Sequence, residues 1–192
     1  MDIILASGSP RRKELLTQMG LAFQVVVSDV NEGIDKDMPP EDQVYFISRR
    51  KAQAVAKTVG PDKLVIAADT IVALEGEVMG KPHSPQEAAA MLSRLSGKTH
   101  EVYTGFTLQR GGRVVTQTER TLVTFRPLTP AEIDAYVATG EPMDKAGAYG
   151  IQGLGSMLVR GIQGDYFNVM GLPVCALGLA LNDFGVATLT RR

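Results

Sequence analysis

The chain has 192 residues, 44% of them hydrophobic and 21% charged, which is ordinary for a folded protein and sufficient for one substantial core. Its 20 basic and 21 acidic residues leave a net charge of −1, so no overall positive field favours nucleic acid or an anionic membrane. The single cysteine, Cys175, excludes an intrachain disulfide and, because it lies in an apolar run, is predicted to be a buried core thiol.

The sequence does not predict a zinc site, a membrane-spanning segment or a signal peptide. The sequence contains neither CxxC nor HExxH, so no zinc site is expected. No apolar stretch approaches the roughly 20 residues that cross a bilayer, and the N-terminal MDIILASGSPRR is too short and wrongly flanked for a signal peptide. We therefore expect one domain over residues 1–192 in the cytoplasm, with no membrane or nucleic-acid partner.

The first half of the chain alternates strands and helices. The apolar pattern predicts strands over 3–6 and 23–30 around a helix over 10–19, then a polar connection and a long helix over 40–58. A buried strand follows within 64–80 and runs into a hairpin-like turn at 75–77.

The second half adds antiparallel signals. We predict helices over 85–95 and 130–139, strands over 100–109 and 112–126 that flank a Gly111-Gly112 turn, and a terminal helix over 174–185. The segment 146–173 carries seven glycines and receives no assigned element. Parallel and antiparallel signals together predict an α/β (mixed α+β) fold, with a mixed sheet flanked by helices.

The first helix begins differently from two others. The sequences SPQE at 84–87 and TPAE at 129–132 are capping boxes, whereas the first helix begins SPRR at 9–12 and has Arg12 in place of the glutamate. A cation at a helix N-terminus costs about 0.3–1 kcal/mol. We therefore predict that an anion binds near Arg11 and Arg12, and that Arg12→Glu stabilises the helix while weakening that binding.

Two polar residues interrupt apolar patterns. Lys51 falls on the apolar stripe of the long helix, and Asp69 lies within the apolar strand VIAADTIV. Lys51 is either a snorkelling lysine or one with a buried partner. Asp69 is either a strand-end residue that caps a turn, or a general base or metal ligand at a cleft. Lys81 adds an ammonium to the same cleft or is a solvated loop lysine.

A second carboxylate and a loop glutamine complete the candidates. Glu32 follows the second predicted strand, and oxygen ligands such as Glu32 and Asp69 suit Mg²⁺ or Mn²⁺ if strands 1, 2 and 3 end at one place. Gln152 lies in GIQGLG, which matches neither GxGxxG nor GxxxxGK[ST]. Its amide either reads a base edge or is exposed in a turn. Four cations with two carboxylates are the composition of a polyphosphate–Mg²⁺ site.

Several segments resemble one known family in order along almost the whole chain. LASGSPRRKELL, KAxAV from Lys51, AADTIV, GKP, LSGKTHEVYTG, GEPMDKAGAYGIQGLG and the final GLP are similar to those of the Maf family, and to its dTTP/UTP pyrophosphatase branch. The resemblance implies a nucleoside triphosphate pyrophosphatase that releases a monophosphate and pyrophosphate. It also implies an inosine-triphosphatase-like fold, an elongated mixed sheet with a cleft between two lobes, and a homodimer.

The resemblance also implies residue roles. Asp69 is implied as the catalytic acidic residue, which acts as the general base or holds the metal that activates water, and Glu32 is implied to share that Mg²⁺ or Mn²⁺. Arg11, Thr70 and Gln152 match positions of substrate selection. The implied phosphate-binding residues are Ser9, Arg11, Arg12, Lys51 and Lys81.

Two alternatives stay open at this point. One is a pyrophosphatase for 7-methyl-GTP or other purine triphosphates. The other is a nucleotide-binding regulator of septum formation or cell division, which the two carboxylates disfavour because cations alone can hold phosphate.

Overall fold

The computed structural model describes residues 2–30, 33 and 37–189. The strands are β1 (Ile3–Leu5), β2 (Phe23–Val25), β3 (Leu64–Leu74), β4 (Glu77–Met79), β5 (Thr99–Arg110), β6 (Arg113–Phe125) and β7 (Val159–Gln163). The helices are α1 (Pro10–Gln18), α2 (Pro40–Val59), α3 (Pro85–Leu95), α4 (Pro130–Ala138), α5 (Tyr166–Met170) and α6 (Val174–Asn182). Three short 3-10 helices, Glu141–Asp144, Ala146–Ala148 and Gly153–Leu158, connect α4 to β7.

All seven strands belong to one mixed sheet. Its order is β2-β1-β3-β5-β6-β7, and β4 pairs with β3 off this path. The short β1 pairs in parallel with β2 and β3, while the long β3, β5 and β6 pair antiparallel. The predicted α/β class with a mixed sheet is therefore confirmed.

The two faces of the sheet are covered differently. Helix α2 packs on one face, and its buried stripe includes Val44, Ile47, Lys51 and Val55. On the other face, one apolar cluster gathers α1, α6 and the start of β3, and a second gathers α3, α4 and the end of β3. Thr70 lies on this face between the two clusters, so a polar position separates the two halves of the core.

A gap in the pairing of β3 opens the sheet beside Asp69. The pairing of β1 with β3 ends at Leu5 and Ile66, and one further hydrogen bond runs from Ala6 N–H to Ile66 O. β4 pairs with β3 only from Val72 onward. Within the described residues, the stretch 67–71 of β3 therefore has no strand on that edge, and a cleft reaches the sheet there.

The end of β2 and the burial of Cys175 differ from the sequence-based expectations. β2 ends at Val25 rather than residue 30, because the neighbouring β1 ends at Leu5 and Val26 N–H to Leu5 O is the last hydrogen bond it provides. Cys175 is exposed. Helix α6 buries Leu177, Ala180 and Leu181, so Cys175 falls on its outer side.

Gly105→Ala is expected to reduce stability because α2 lies directly on this position of β5. A Cβ at Gly105 would lie 2.3 Å from Val44 O, and overpacking of this kind typically costs about 1–3 kcal/mol. Gly105 is also the cross-strand partner of Asp69, so the displaced helix would shift Lys51 relative to that carboxylate. Thermal unfolding measures the loss. Gly112→Ala is the control, because its Cβ meets nothing within 4 Å; equal stability of the two variants would contradict the prediction.

Candidate active site

The cleft at the gap in the sheet has a volume of about 600 Å³ and brings together distant parts of the sequence. It is lined by the loop after β1, the start of α1, the middle of β3, and the segment after α4. Every predicted site residue within the described ranges lines it: Ser9, Arg11, Arg12, Lys51, Asp69, Thr70, Lys81 and Gln152. Glu32, the second predicted metal ligand, lies outside the described residues.

Lys51 and Asp69 form a buried ion pair on the α2 face of the sheet. Lys51 Nζ donates to Asp69 Oδ1 at 2.8 Å, and the two side chains are only 6% and 9% exposed. This burial rules out a snorkelling Lys51. Asp69 lies in the middle of β3, which continues beyond it to Leu74, so the interpretation of Asp69 as a strand-end residue is wrong. Only the neighbouring β1 ends close to the site, at Leu5. The second carboxylate oxygen, Oδ2, takes no part in the ion pair.

Arg12 joins α1 to β3 and α5 on the opposite face. Its Nε donates to Gly171 O at 2.7 Å, Nη1 to Ser7 Oγ at 3.1 Å and Nη2 to Thr70 Oγ1 at 3.0 Å. The residue is 8% exposed. The guanidinium therefore holds three backbone segments together at the cleft, a structural role that the sequence did not indicate.

The hydrogen bonds of Thr70 have a fixed direction. Thr104 donates its single hydroxyl proton to Asn168 O at 2.9 Å. In the 2.9 Å contact between Thr70 Oγ1 and Thr104 Oγ1, Thr70 must therefore be the donor. Because Arg12 can only donate, Thr70 accepts from it and uses its own proton for Thr104. Thr70 can therefore offer only a lone pair to a ligand in the cleft.

The N-terminus of α1 lacks the side-chain cap of α3 and α4. Ser9 makes no side-chain hydrogen bond to the first turn, and the turn has no acidic residue. By contrast, α4 has a complete capping box and Ser84 caps α3. The start of α1, with Arg11 and Arg12, lines the cleft, and a helix N-terminus that carries two arginines favours an anion.

Polar cleft residues to which the sequence gave no role include Glu141, Asp144, Lys145 and Tyr149. Lys145 Nζ donates to Glu141 O and to Asp144 Oδ1, both at 2.6 Å. Arg11 Nη1 lies 3.8 Å from Asp144 Oδ2. The charged run EPMDK before a glycine-rich loop was the available sequence signal for these residues. Short 3-10 helices have no apolar periodicity, so the sequence does not indicate which of their side chains face the cleft.

Tyr149 is held at the cleft by His100 from inside the core. Their Oη and Nε2 atoms are 2.7 Å apart, and both rings make edge contacts with Phe125. Burial lowers the pKa of His100 to about 4, so the imidazole is neutral at pH 7. His100 therefore supports the cleft wall as an uncharged group.

The described carboxylates do not form a complete metal site by themselves. No group of three His, Cys, Asp or Glu side chains suited to a metal ion occurs within residues 2–30, 33 and 37–189. Asp69 is a buried oxygen donor that faces the cleft. A hard cation such as Mg²⁺ commonly binds through one or two carboxylates and completes its coordination with water and substrate phosphates, so Asp69 fits such an ion.

No helix in the described part of the chain is both long and apolar enough to span a bilayer.

A model of the family described as Maf-like protein matches residues 2–184. A dTTP/UTP pyrophosphatase from Moorella thermoacetica is 54% identical over 187 residues, which cover 96% of this chain and 95% of that protein. A protein of the same name from Bacillus cereus is 53% identical over 184 residues and 96% of each chain. The solved structure of the Staphylococcus aureus Ham1 protein has 14% identity and a TM-score of 0.46, over 65% of this chain and 72% of that one.

Proposed function

We propose that this chain, which belongs to the Maf-like protein family, hydrolyses dTTP and UTP to the nucleoside monophosphate and pyrophosphate. Relatives more than 50% identical over nearly their full length carry the name of that activity. The observation that carries the proposal is the buried Lys51–Asp69 pair at the gap in the sheet, in the same cleft as the uncapped, arginine-bearing start of α1. One cavity thus contains both the carboxylate proposed as the base and the helix start proposed to bind the anion, which supports the proposal.

In the proposed reaction, water attacks the α-phosphorus of the nucleotide. A new P–O bond forms to the water oxygen, and the bond from the α-phosphorus to the oxygen that bridges to the β-phosphate breaks. Asp69 accepts a proton from the attacking water, and pyrophosphate leaves with the electrons of the broken bond. A positioned general base of this kind typically contributes about 10²–10⁴-fold in rate.

The cations of the cleft neutralise charge on the triphosphate. Arg11, Lys51 and Lys81 line the cavity, and backbone N–H groups of the first turn of α1 beyond Pro10 are proposed to add donors. Arg12 is also a proposed phosphate ligand, in addition to its bonds within the protein. Because charge builds on the leaving pyrophosphate as the bond breaks, we expect these groups to stabilise the transition state more than the ground state.

Asp69, together with Glu32, is proposed to hold Mg²⁺ or Mn²⁺ with the substrate's phosphates. When bound, such an ion neutralises phosphate charge and lowers the pKa of bound water. We further propose that residues 1–192 form one domain, which acts as a homodimer in the cytoplasm and needs neither nucleic acid nor a membrane.

Substrate selection is proposed to depend on Gln152, Thr70 and Arg11. All three line the cleft. Thr70 can only accept a hydrogen bond from a ligand, as its bonds to Arg12 and Thr104 require. Gln152 has both a donor and an acceptor with which to read a pyrimidine edge.

Pyrophosphate release from a substrate panel tests the proposal. The panel comprises dTTP, UTP, CTP, ITP and 7-methyl-GTP, each with Mg²⁺ and with Mn²⁺. We expect dTTP and UTP to give the highest kcat/KM. Preference for ITP or 7-methyl-GTP would instead assign a purine triphosphate pyrophosphatase. Nucleotide binding without pyrophosphate release would indicate a regulatory binding protein.

A further inference from the structure

We propose that Glu141 is the positioning residue of the substrate-selecting loop: its carboxylate organises the backbone of Gly150–Gly155 and thereby fixes Gln152 in the cleft. This inference rests on the proposed function. Glu141 acts through its contacts with protein atoms and not as a ligand of the substrate.

The loop is built around the Glu141 carboxylate. Oε1 accepts hydrogen bonds from Gly155 N–H and from the Tyr136 hydroxyl, both at 2.9 Å, and Oε2 accepts from Leu154 N–H at 3.1 Å. The Tyr136 oxygen in turn accepts from Gly150 N–H at 3.3 Å. Both ends of the loop that contains Gln152 are thus attached to one carboxylate, directly or through a single hydroxyl.

The glycines of the loop make this close approach possible. A Cβ at Gly153 would lie 2.8 Å from Glu141 Oε2, and Gly153 has a φ of +64°. A Cβ at Gly155 would lie 2.2 Å from Gly150 O and 2.7 Å from the Tyr136 oxygen. Only glycine at these two positions lets the loop surround the carboxylate so closely. The glycines of GIQGLG are therefore explained by the Glu141 carboxylate at the centre of the loop.

The donors around Glu141 require a carboxylate rather than an amide. Three different donors point at its two oxygens, and an ionised carboxylate consists only of acceptors. Although partial burial by itself raises the pKa of Glu141, hydrogen bonds from Gly155, Tyr136 and Leu154 hold that pKa below its ordinary value. A glutamine here must direct an NH₂ donor at one of these donors, so the isosteric change disrupts the loop.

Gln152 depends on its backbone for orientation. Its side-chain amide takes no hydrogen bond from the described residues, and it immediately precedes the 3-10 helix Gly153–Leu158. A glutamine amide can rotate by half a turn and offer either a donor or an acceptor at a given point, so a free one accepts uracil and cytosine alike. Because the amide has no partner of its own among the described residues, the loop backbone sets the point at which it meets the base. Displacement of the loop is therefore expected to weaken both the binding of UTP and the discrimination against CTP.

The test compares Glu141→Gln with Glu132→Gln in the full chain. Glu132 is also a glutamate whose oxygens accept hydrogen bonds at the start of a helix, but it lies outside the cleft and caps α4. For Glu141→Gln we expect the KM for UTP to rise about tenfold and the UTP/CTP ratio of kcat/KM to fall about tenfold, the effect of one misplaced hydrogen-bonding group. For Glu132→Gln we expect a lower Tm with KM and the ratio unchanged.

A purely structural role would give another result. It would lower the Tm and the active fraction of Glu141→Gln while leaving KM and the UTP/CTP ratio at wild-type values, and that outcome would overturn the proposal. If Glu141→Gln does not fold, Tyr136→Phe removes the hydroxyl that donates to Glu141 Oε1 and accepts from Gly150 N–H. The bonds of Leu154 and Gly155 to the carboxylate remain in that variant, and the ratio should shift in the same direction by about twofold to fivefold. An unchanged ratio in that folded variant would equally overturn it. Failure of the wild type to release pyrophosphate from UTP would instead refute the proposed function.

Discussion

Asp69→Asn is expected to lower kcat for UTP and dTTP by about 10²–10⁴-fold, the contribution of a positioned general base. The amide retains the shape of the carboxylate but can no longer accept a proton from water. Turnover is measured as pyrophosphate release with Mg²⁺ and with Mn²⁺, under saturating nucleotide. Near-normal kcat with either metal would refute the assignment of Asp69 as the base.

The same substitution also changes the stability of the protein. Asp69 is the buried ion-pair partner of Lys51, so the substitution removes one charge of that pair. Removal of one member of such a pair costs about 3–5 kcal/mol when nothing replaces it. Because asparagine still offers an oxygen to Lys51 Nζ, we expect a smaller loss, about 1–3 kcal/mol. Urea unfolding measures this loss, and kcat must be compared at a temperature where the variant is fully folded.

Periodic and capped elements were predicted well because local physics determines them. α3 has the predicted bounds, and α4 begins at the predicted capping box. Lys51 and Asp69 were also identified, since each breaks an apolar pattern. Their pairing was not predicted, because it depends on where α2 crosses the sheet. Gly105 permits that crossing, and no local signal distinguishes it from any other strand glycine.

The segment 141–155 could not be derived from the sequence for a different reason. Its 3-10 turns are held by side chain-to-backbone bonds, such as those of Glu141 with Leu154 and Gly155, rather than by an apolar face. Such bonds join residues 13 and 14 positions apart, and nothing in the local pattern specifies them. The sequence identified Gln152 in this segment but not the carboxylate around which its loop is built.

Arg12→Glu is expected to lower the free energy of unfolding by about 3–5 kcal/mol, the typical loss when a buried charged network is broken. The sequence alone predicted a gain, because glutamate would restore the capping box and interact favourably with the helix dipole. That gain is at most about 1 kcal/mol. The loss includes the bonds to Gly171 O, Ser7 Oγ and Thr70 Oγ1, and the new carboxylate would face oxygens that already act as acceptors.

Arg11→Glu is the matched control, because it introduces the same charge one residue earlier. The Arg11 side chain is 31% exposed and its ion pair with Asp144 is long, at 3.8 Å, so its loss should change stability by no more than about 1 kcal/mol. Both variants should bind the triphosphate more weakly, but only Arg12→Glu should unfold at distinctly lower urea. This difference separates the two arginines: Arg11 is proposed to serve the ligand, whereas Arg12 also joins α1, β3 and α5. Equal urea midpoints for the two variants would show that the buried network around Arg12 contributes no more than the surface pair of Arg11.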